Sequence, residues 1–323
     1  MRRHSLRRLV KLFAAAVGLF LSAHILLSGL TSGKHPPKPS PLPAEEYRLV
    51  SPETYEYVLN RPAACADRTR PPFLVFMVPV APAEAAAREA VRETWGAPSE
   101  DTLTLFYVGL PEGGRGSRVQ ALLEEESSAR ADIIQVNFQD SYQNLTVKTM
   151  MMMSWLATHC PNASYAMKAD ADVFVNVFHL LRRLRSSPGR DFITGSVISD
   201  GRPRRSRDSK WHLSKEVYPE DSFPPYVSGA GYVFSADLAP RISWASRFVR
   251  PIPLEDVYVG LCLRVLAVRP VYSLGLPTFR NLFEVRQLEY DRCAFARLVL
   301  ANGFKPSQLL HMWRDFSQDQ SGC

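Results

Sequence analysis

The chain has 323 residues, 46% hydrophobic and 22% charged, a globular composition that excludes a fibre or a wholly disordered protein and leaves room for one large domain or two smaller ones. Its net charge is +7, but Arg2, Arg3, Arg7, Arg8 and Lys11 carry five of those charges within the first eleven residues. Without them +2 of the +7 remains, so no global basic field argues for nucleic acid as a partner.

Residues 1–11 read as a cytosolic tail, because basic residues flanking an apolar run stay on the cytosolic side of a membrane. The run itself, residues 12–30, is interrupted only by His24 and scattered Ser and Gly. At about 1.5 Å rise per residue it just covers a hydrocarbon core of roughly 30 Å. It is expected to be a transmembrane signal-anchor; a cleavable signal peptide is the competing reading, and both export the remainder of the chain. Residues 31–70 are expected to form a stem, proline-rich up to Pro43 and extended in character. The sequons at Asn144 and Asn162 are consistent with export as glycosylation sites. Five cysteines, Cys65, Cys160, Cys262, Cys293 and Cys323, leave at least one unpaired in an oxidising lumen, and none lies in a close Cys/His cluster that would hold zinc.

From residue 71 the pattern alternates. Pro72–Val80, Thr102–Val108, Asp132–Phe138 and the run at Tyr165 read as strands. Ala83–Thr94, Ser117–Arg130 and Leu145–His159 read as the intervening helices. Such alternation predicts an α/β domain, a Rossmann-like, mainly parallel central sheet flanked by helices, with its ligand at the carboxyl ends of the strands. No Gly-x-Gly-x-x-Gly or Walker loop follows Val80, so a dinucleotide or P-loop site loses its support. On the first helix Arg88 and Arg92 share a face, where a guanidinium would reach a diphosphate or pair with Glu89 and Glu93. Asp140 follows a strand and is either a hydrogen-bond acceptor for a nucleoside or a helix N-cap.

Lys168-Ala169-Asp170-Ala171-Asp172-Val173-Phe174-Val175 delivers two carboxylates into a turn at the end of a buried strand. Carboxylates one residue apart between apolar runs suit a divalent cation whose shell phosphate oxygens complete. Farther on, Val177–Ser187 reads as a helix and Phe192–Val197 as a strand. Gly201–Arg207 is a basic loop: a solvated loop, a contact for acidic glycans, or a processing site after Arg205. Trp211 and Tyr226 are placed to stack on sugars or to pack in the core. Gly229 and Gly231 permit close backbone approach by a ligand or a neighbouring strand. Glu255 and Asp256 precede an apolar helix, Val257–Leu266, and serve either its dipole or proton transfer.

In this order, Arg88-Glu89-Ala90-Val91-Arg92-Glu93-Thr94-Trp95-Gly96, Phe138 to Thr149, the Asp170 stretch, Phe223 to Val233 and Glu255-Asp256-Val257-Tyr258-Val259-Gly260 resemble the beta-1,3-galactosyltransferase family. The resemblance spans roughly Phe73 to Trp313. It implies a Golgi type II membrane enzyme with a GT-A fold in a luminal domain, residues 71–323, using Mn2+ and UDP-galactose to extend an acceptor glycan with inversion. N-acetylglucosaminyl transfer within the same family, or a non-catalytic glycan-binding Golgi protein, are the alternatives. By the same resemblance Asp256 is the general base with Glu255 as fallback, Asp172 and Asp170 are metal ligands, and Arg88, Arg92, Asp140, Asp170, Trp211, Gly229 and Gly231 face the donor. Where the family commonly has a histidine four residues before the proline of the last block, this chain has Asn302, the expected third ligand. Cys262 and Cys293 match family cysteines and suggest a bridge, and Val227 replaces another.

Overall fold

The computed structural model describes residues 40–272 and 289–318. The tail 1–11, the apolar run 12–30, stem residues 31–39 and Cys323 lie outside the described residues, and no helix among the described ones is long and apolar enough to cross a membrane. In chain order the elements are α1 (Ala44–Tyr47), β1 (Tyr57–Leu59), β2 (Leu74–Pro79), α2 (Ala85–Arg92), β3 (Thr102–Leu110), α3 (Arg118–Arg130), β4 (Ile133–Gln139), α4 (Leu145–His159), β5 (Tyr165–Ala169) and β6 (Val173–Val175). They continue with α5 (Val177–Leu184), β7 (Ile193–Ile198), β8 (Tyr226–Ser235), α6 (Leu238–Ala245), α7 (Glu255–Val265), α8 (Arg292–Ala296), β9 (Leu300–Asn302) and α9 (Pro306–Phe316).

The expected alternation is present: β2, β3, β4 and β5 pair in parallel, joined by α2, α3 and α4. The sheet as a whole is mixed, ordered β1-β4-β3-β2-β5-β8-β7, with β1 and β8 running against the other strands. No crossover helix separates β7 from β8; a long loop does, and it returns the chain antiparallel between β5 and β7. Every residue of β2 is buried, as a central strand covered on both faces requires. Alternate side chains feed two cores. Val75, Met77, Leu105 and Tyr107 pack with α4, α6 and α7, while Leu74, Phe76, Val78 and Phe106 pack with Val91 and Trp95 and with Leu180 and Leu184 of α5. Met150–Met153 are all buried, so this stretch of α4 has no solvent face. A third cluster, including Phe174, Phe295, Phe304 and Phe316, lies beneath the small β6–β9 ladder.

The chain joins this folded unit earlier than the stem boundary at residue 70 implied. From Pro41 on it belongs to one compact unit: Val50 is buried, β1 pairs with β4, and Cys65 is disulfide-bonded to Cys160. The proposed Cys262–Cys293 bridge is not formed. Cys262 is a free thiol buried in the core, whereas Cys293 is disulfide-bonded.

Candidate active site

After β4 the chain returns to the opposite side of β2 to make β5, so the strand order reverses between β2 and β5. At such a switch the connections diverge and leave a crevice beyond the carboxyl ends of the strands. A cavity of about 510 Å³ opens there, lined by Pro79–Glu84 after β2, Asp140–Tyr142 after β4, Lys148 of α4 and Asp170 after β5. That volume is in the range of a nucleotide-sized ligand.

The Asp170–Asp172 turn is fastened on three sides. The Asp170 amide donates to Ala230 O at 3.1 Å, and Asp172 O accepts from the amides of Gly303 and Phe304 at 3.0 Å each. Trp95 is buried against Phe76, and its indole Nε1 donates to Val173 O at 2.7 Å. The ladder pairs Val173 with Asn302, which brings that amide beside the turn.

Lys168, one strand residue short of the turn, joins this acidic edge to the next. Its buried ammonium lies 2.6 Å from Asp170 Oδ1 and 3.2 Å from Glu255 Oε1, and it also donates to Gly229 O. Burial works to lower the Lys168 pKa, but the carboxylates of Asp170 and Glu255 outweigh it and hold the ammonium charged. Glu255 faces inward, 6% exposed, with Thr149 Oγ1 and Tyr232 OH donating to Oε2 at 3.3 and 3.4 Å. Burial pushes its pKa up to about 7, with Lys168 opposing and Asp256 and Asp170 adding to the rise. Asp256 is less enclosed. Its Oδ1 accepts from Val257 N at 2.8 Å, within the first turn of α7, and its Oδ2 accepts from Gly229 N at 3.2 Å. Burial raises its pKa against these backbone donors. Asp172 is likewise raised, by burial and then by the Asp170 charge.

The two glycines on β8 differ in purpose. A Cβ on Gly229 would stand 2.8 Å from Glu255 Oε1, so this glycine lets the acids close on the strand. A Cβ on Gly231 would collide with Leu300 Cδ1, so Gly231 serves packing against β9.

Arg88 and Arg92 are not brought to the acidic cluster. Arg88 is 1% exposed; its Nε and Nη2 donate to Glu126 at 2.8 and 2.6 Å, and its other donors hold Ala81 O and Pro82 O at 3.0 and 3.1 Å. Arg92 pairs with Asp132 at 2.8 Å, with Glu126 at 2.8 Å and with Glu89 at 3.1 Å. Both tie α2 to α3 through Glu126; Arg92 also reaches Asp132 at the start of β4, and Arg88 braces the loop that walls the cavity. Asp140 does line the cavity, but instead of capping α4 it accepts from Gly109 N at 2.6 Å and grips Lys148 Nζ at 2.8 Å, while that ammonium also donates to Val80 O at 3.0 Å. Trp211 is 40% exposed and shares the Lys210 ammonium with Tyr142, a cavity-lining residue 44% exposed. Tyr226 is half-buried, its ring against Gly201 and its Cβ against Gly260. Asn162 is exposed in the turn between α4 and β5, while Asn144 is half-buried and donates to Gln139 O at 2.8 Å.

Lys148, Lys168 and Tyr142 carry no role in the sequence reading. The available signal was a lysine inside an otherwise apolar strand or helix, which cannot stay charged there without an acid beside it.

Among the described residues no three His, Cys, Asp or Glu side chains gather as a metal cage. The donors at the turn are two carboxylates and Asn302 Oδ1, which is buried and has no hydrogen-bond partner. An orphaned buried amide oxygen beside Asp172 fits a hard cation that takes oxygen ligands.

The sequence model of the Galactosyltransferase family matches residues 86–273. The chain is 37% identical over 273 residues to beta-1,3-galactosyltransferase 2 of Mus musculus, covering 82% of this chain and 63% of that protein. It is 38% identical over 277 residues to beta-1,3-galactosyltransferase 1 of Mus musculus, covering 84% and 81%. The solved galactosyltransferase LgtC, in complex with donor and acceptor sugar analogs, overlays 77% of this chain and 98% of its own at 10% identity and a TM-score of 0.35, too distant for a structural argument. With a family match over most of its length and a cavity at the switch point flanked by paired acids, the chain belongs to the beta-1,3-galactosyltransferase family.

Proposed function

We propose that this protein is an inverting glycosyltransferase of GT-A type that moves galactose from UDP-galactose to the 3-hydroxyl of an acceptor glycan ending in N-acetylglucosamine or a similar hexosamine. The observation that carries the reading is the bridge from Asp170 through Lys168 to Glu255, with Gly229 N on Asp256: one lysine and one glycine draw the acids of β5 and α7 to a single site beside the cavity.

In this reading Asp256 is the base. Its carboxylate, raised by burial, has lone pairs beyond the two it gives to backbone amides, and it takes the proton of the acceptor hydroxyl as that oxygen attacks the anomeric carbon. The new carbon–oxygen bond forms as the bond to UDP breaks on the opposite face, which inverts the centre. Glu255 positions: held by Lys168, Thr149 and Tyr232, it fixes Lys168 and the first turn of α7. Asp170, Asp172 and Asn302 Oδ1 would hold a divalent cation such as Mn2+, which when bound offsets charge on the departing diphosphate. Lys148 and Asp140 stand on the cavity wall on the nucleotide side. The apolar run 12–30 and the basic tail support a single-pass type II protein of the Golgi membrane with this domain in the lumen.

The test is transfer by the full-length protein purified in detergent, with UDP-galactose and UDP-N-acetylglucosamine against terminal hexosamine acceptors. Galactose transfer that falls by about 10²–10⁴ in Asp256→Asn is the expected result. An Asp256→Asn protein as active as the wild type overturns the base assignment.

A further inference from the structure

The loop between β7 and β8 carries charge for which the transfer chemistry has no use. It is a fixed structure: Gly201 O accepts from Phe223 N and Arg204 O from Leu213 N, both at 2.9 Å. The Arg205 guanidinium donates to Leu213 O, Tyr218 O and Glu220 O at 2.8, 2.9 and 2.7 Å. Arg205 is therefore spent on holding the loop, which argues against an open processing site after it. Its neighbours are not so engaged. Arg202, Arg204 and Arg207 are exposed, and among the described residues none has a hydrogen-bonding or ion-pairing side chain. Asp208 in the same loop is exposed and does not pair with them, while Asp221 is taken by Lys215 and Glu220 by Arg264.

The basic run ends at the cavity. Lys210 Nζ sits 4.7 Å from the Trp211 ring and 5.8 Å from the Tyr142 ring, and Tyr142 lines the cavity together with Asp170. Two large exposed rings with a cation over them make a surface on which the C–H face of a sugar stacks, with positive charge at its edge. Unpaired arginines present planar donor forks suited to sulfate or carboxylate oxygens. Two features thus converge: a stacking platform at the mouth of the site and, in the loop leading onto it, three exposed arginines without ion-pair partners among the described residues.

We propose that Tyr142, Trp211, Lys210 and the Arg202–Arg207 loop form an acceptor subsite that selects glycans bearing an anionic substituent, sulfate or carboxylate, on or next to the accepting sugar. The proposal rests on the transfer reading for the word acceptor, but the binding it predicts does not need turnover. The experiment compares three probes of one backbone: an N-acetylglucosamine-terminated disaccharide, its 6-O-sulfate, and the same chain carrying a uronate. Binding to the full-length protein is measured by titration at 50 and 300 mM NaCl, and transfer from UDP-galactose is measured in parallel. One or both anionic probes should bind roughly tenfold more tightly than the neutral one, the stronger arm naming the group. That advantage should shrink at the higher salt and should collapse toward unity in Arg202→Gln/Arg204→Gln/Arg207→Gln. Equal affinity for all three probes, or a preference that survives the triple substitution or ignores salt, overturns the proposal. Selective, salt-sensitive binding with no transfer to any probe upholds it and sinks the transfer reading instead.

Discussion

Glu126→Gln tests whether Arg88 is a structural or a ligand-binding cation. Glu126 gives Arg88 its carboxylate partner: two hydrogen bonds of 2.8 and 2.6 Å to a guanidinium that is 1% exposed. The substitution removes the charge and turns one acceptor into a donor facing a donor, leaving a buried cation with no counter-charge, only the remaining amide oxygen and the carbonyls of Ala81 and Pro82. Breaking one side of a buried pair costs about 3–5 kcal/mol. Glu126 is itself partly exposed and the two carbonyls remain, so the lower end applies, about 3 kcal/mol. For a domain of this size that is a fall of roughly 6–12 °C in Tm. The pH dependence has a definite sign. Burial pushes the Glu126 pKa up, but Arg88 and then Arg92 outweigh it and hold it below 4.5, so its contribution is present above that value and is lost as pH falls through the depressed one. Thermal melts of wild type and variant should therefore differ at pH 7 and converge in acid. An unchanged Tm with weakened UDP-galactose binding would refute the reasoning and return Arg88 to the diphosphate.

The acidic edge yields further expectations. Lys168→Met strips the counter-ion from buried Glu255, whose pKa burial already pushes up to about 7. A carboxyl raised in the folded state gives its full stability below its unfolded pKa and loses it as pH rises through the folded one, so the variant's deficit in Tm should be larger at pH 8.5 than at pH 5.5. An equal deficit at both would deny that Lys168 neutralises Glu255. Gly231→Ala must displace Leu300 and should cost about 1–3 kcal/mol in urea unfolding. Gly229→Ala presses on Glu255 at the site, and its loss should be greater in kcat than in Tm; the reverse ordering would contradict the division of roles between the two glycines.

The alternation of β2 through β5 was legible because each strand is a continuous apolar run and each crossover a helix-favouring one, and that alone locates the crevice. The direction of β8 was not, since apolar pattern carries no strand polarity and its loop has no periodicity. Residues 44–70 looked like spacer because their attachment is non-local: β1 needs β4, and Cys65 needs Cys160. Spacing correctly put Arg88 and Arg92 on one helix face, but a face is not a partner, and Glu126 lies 38 residues away from Arg88. Asp170 and Asp256 were named as separate motifs; that Lys168 ties their elements together depends on β5 and β8 being neighbours, a tertiary fact. Asn302 was singled out by what it replaces, whereas its orphaned oxygen is visible only once β9 pairs with β6.

The central claim is that the acids at the β2–β5 switch carry out an inverting galactosyl transfer. Its most direct test is the structure of the product made from UDP-galactose and an N-acetylglucosamine-terminated acceptor, read by NMR for anomeric configuration and linkage. The account predicts a β-linked galactose on the 3-hydroxyl, absent from the Asp256→Asn reaction. An α-linked product, or the same β1,3 product at an undiminished rate from Asp256→Asn, would contradict it.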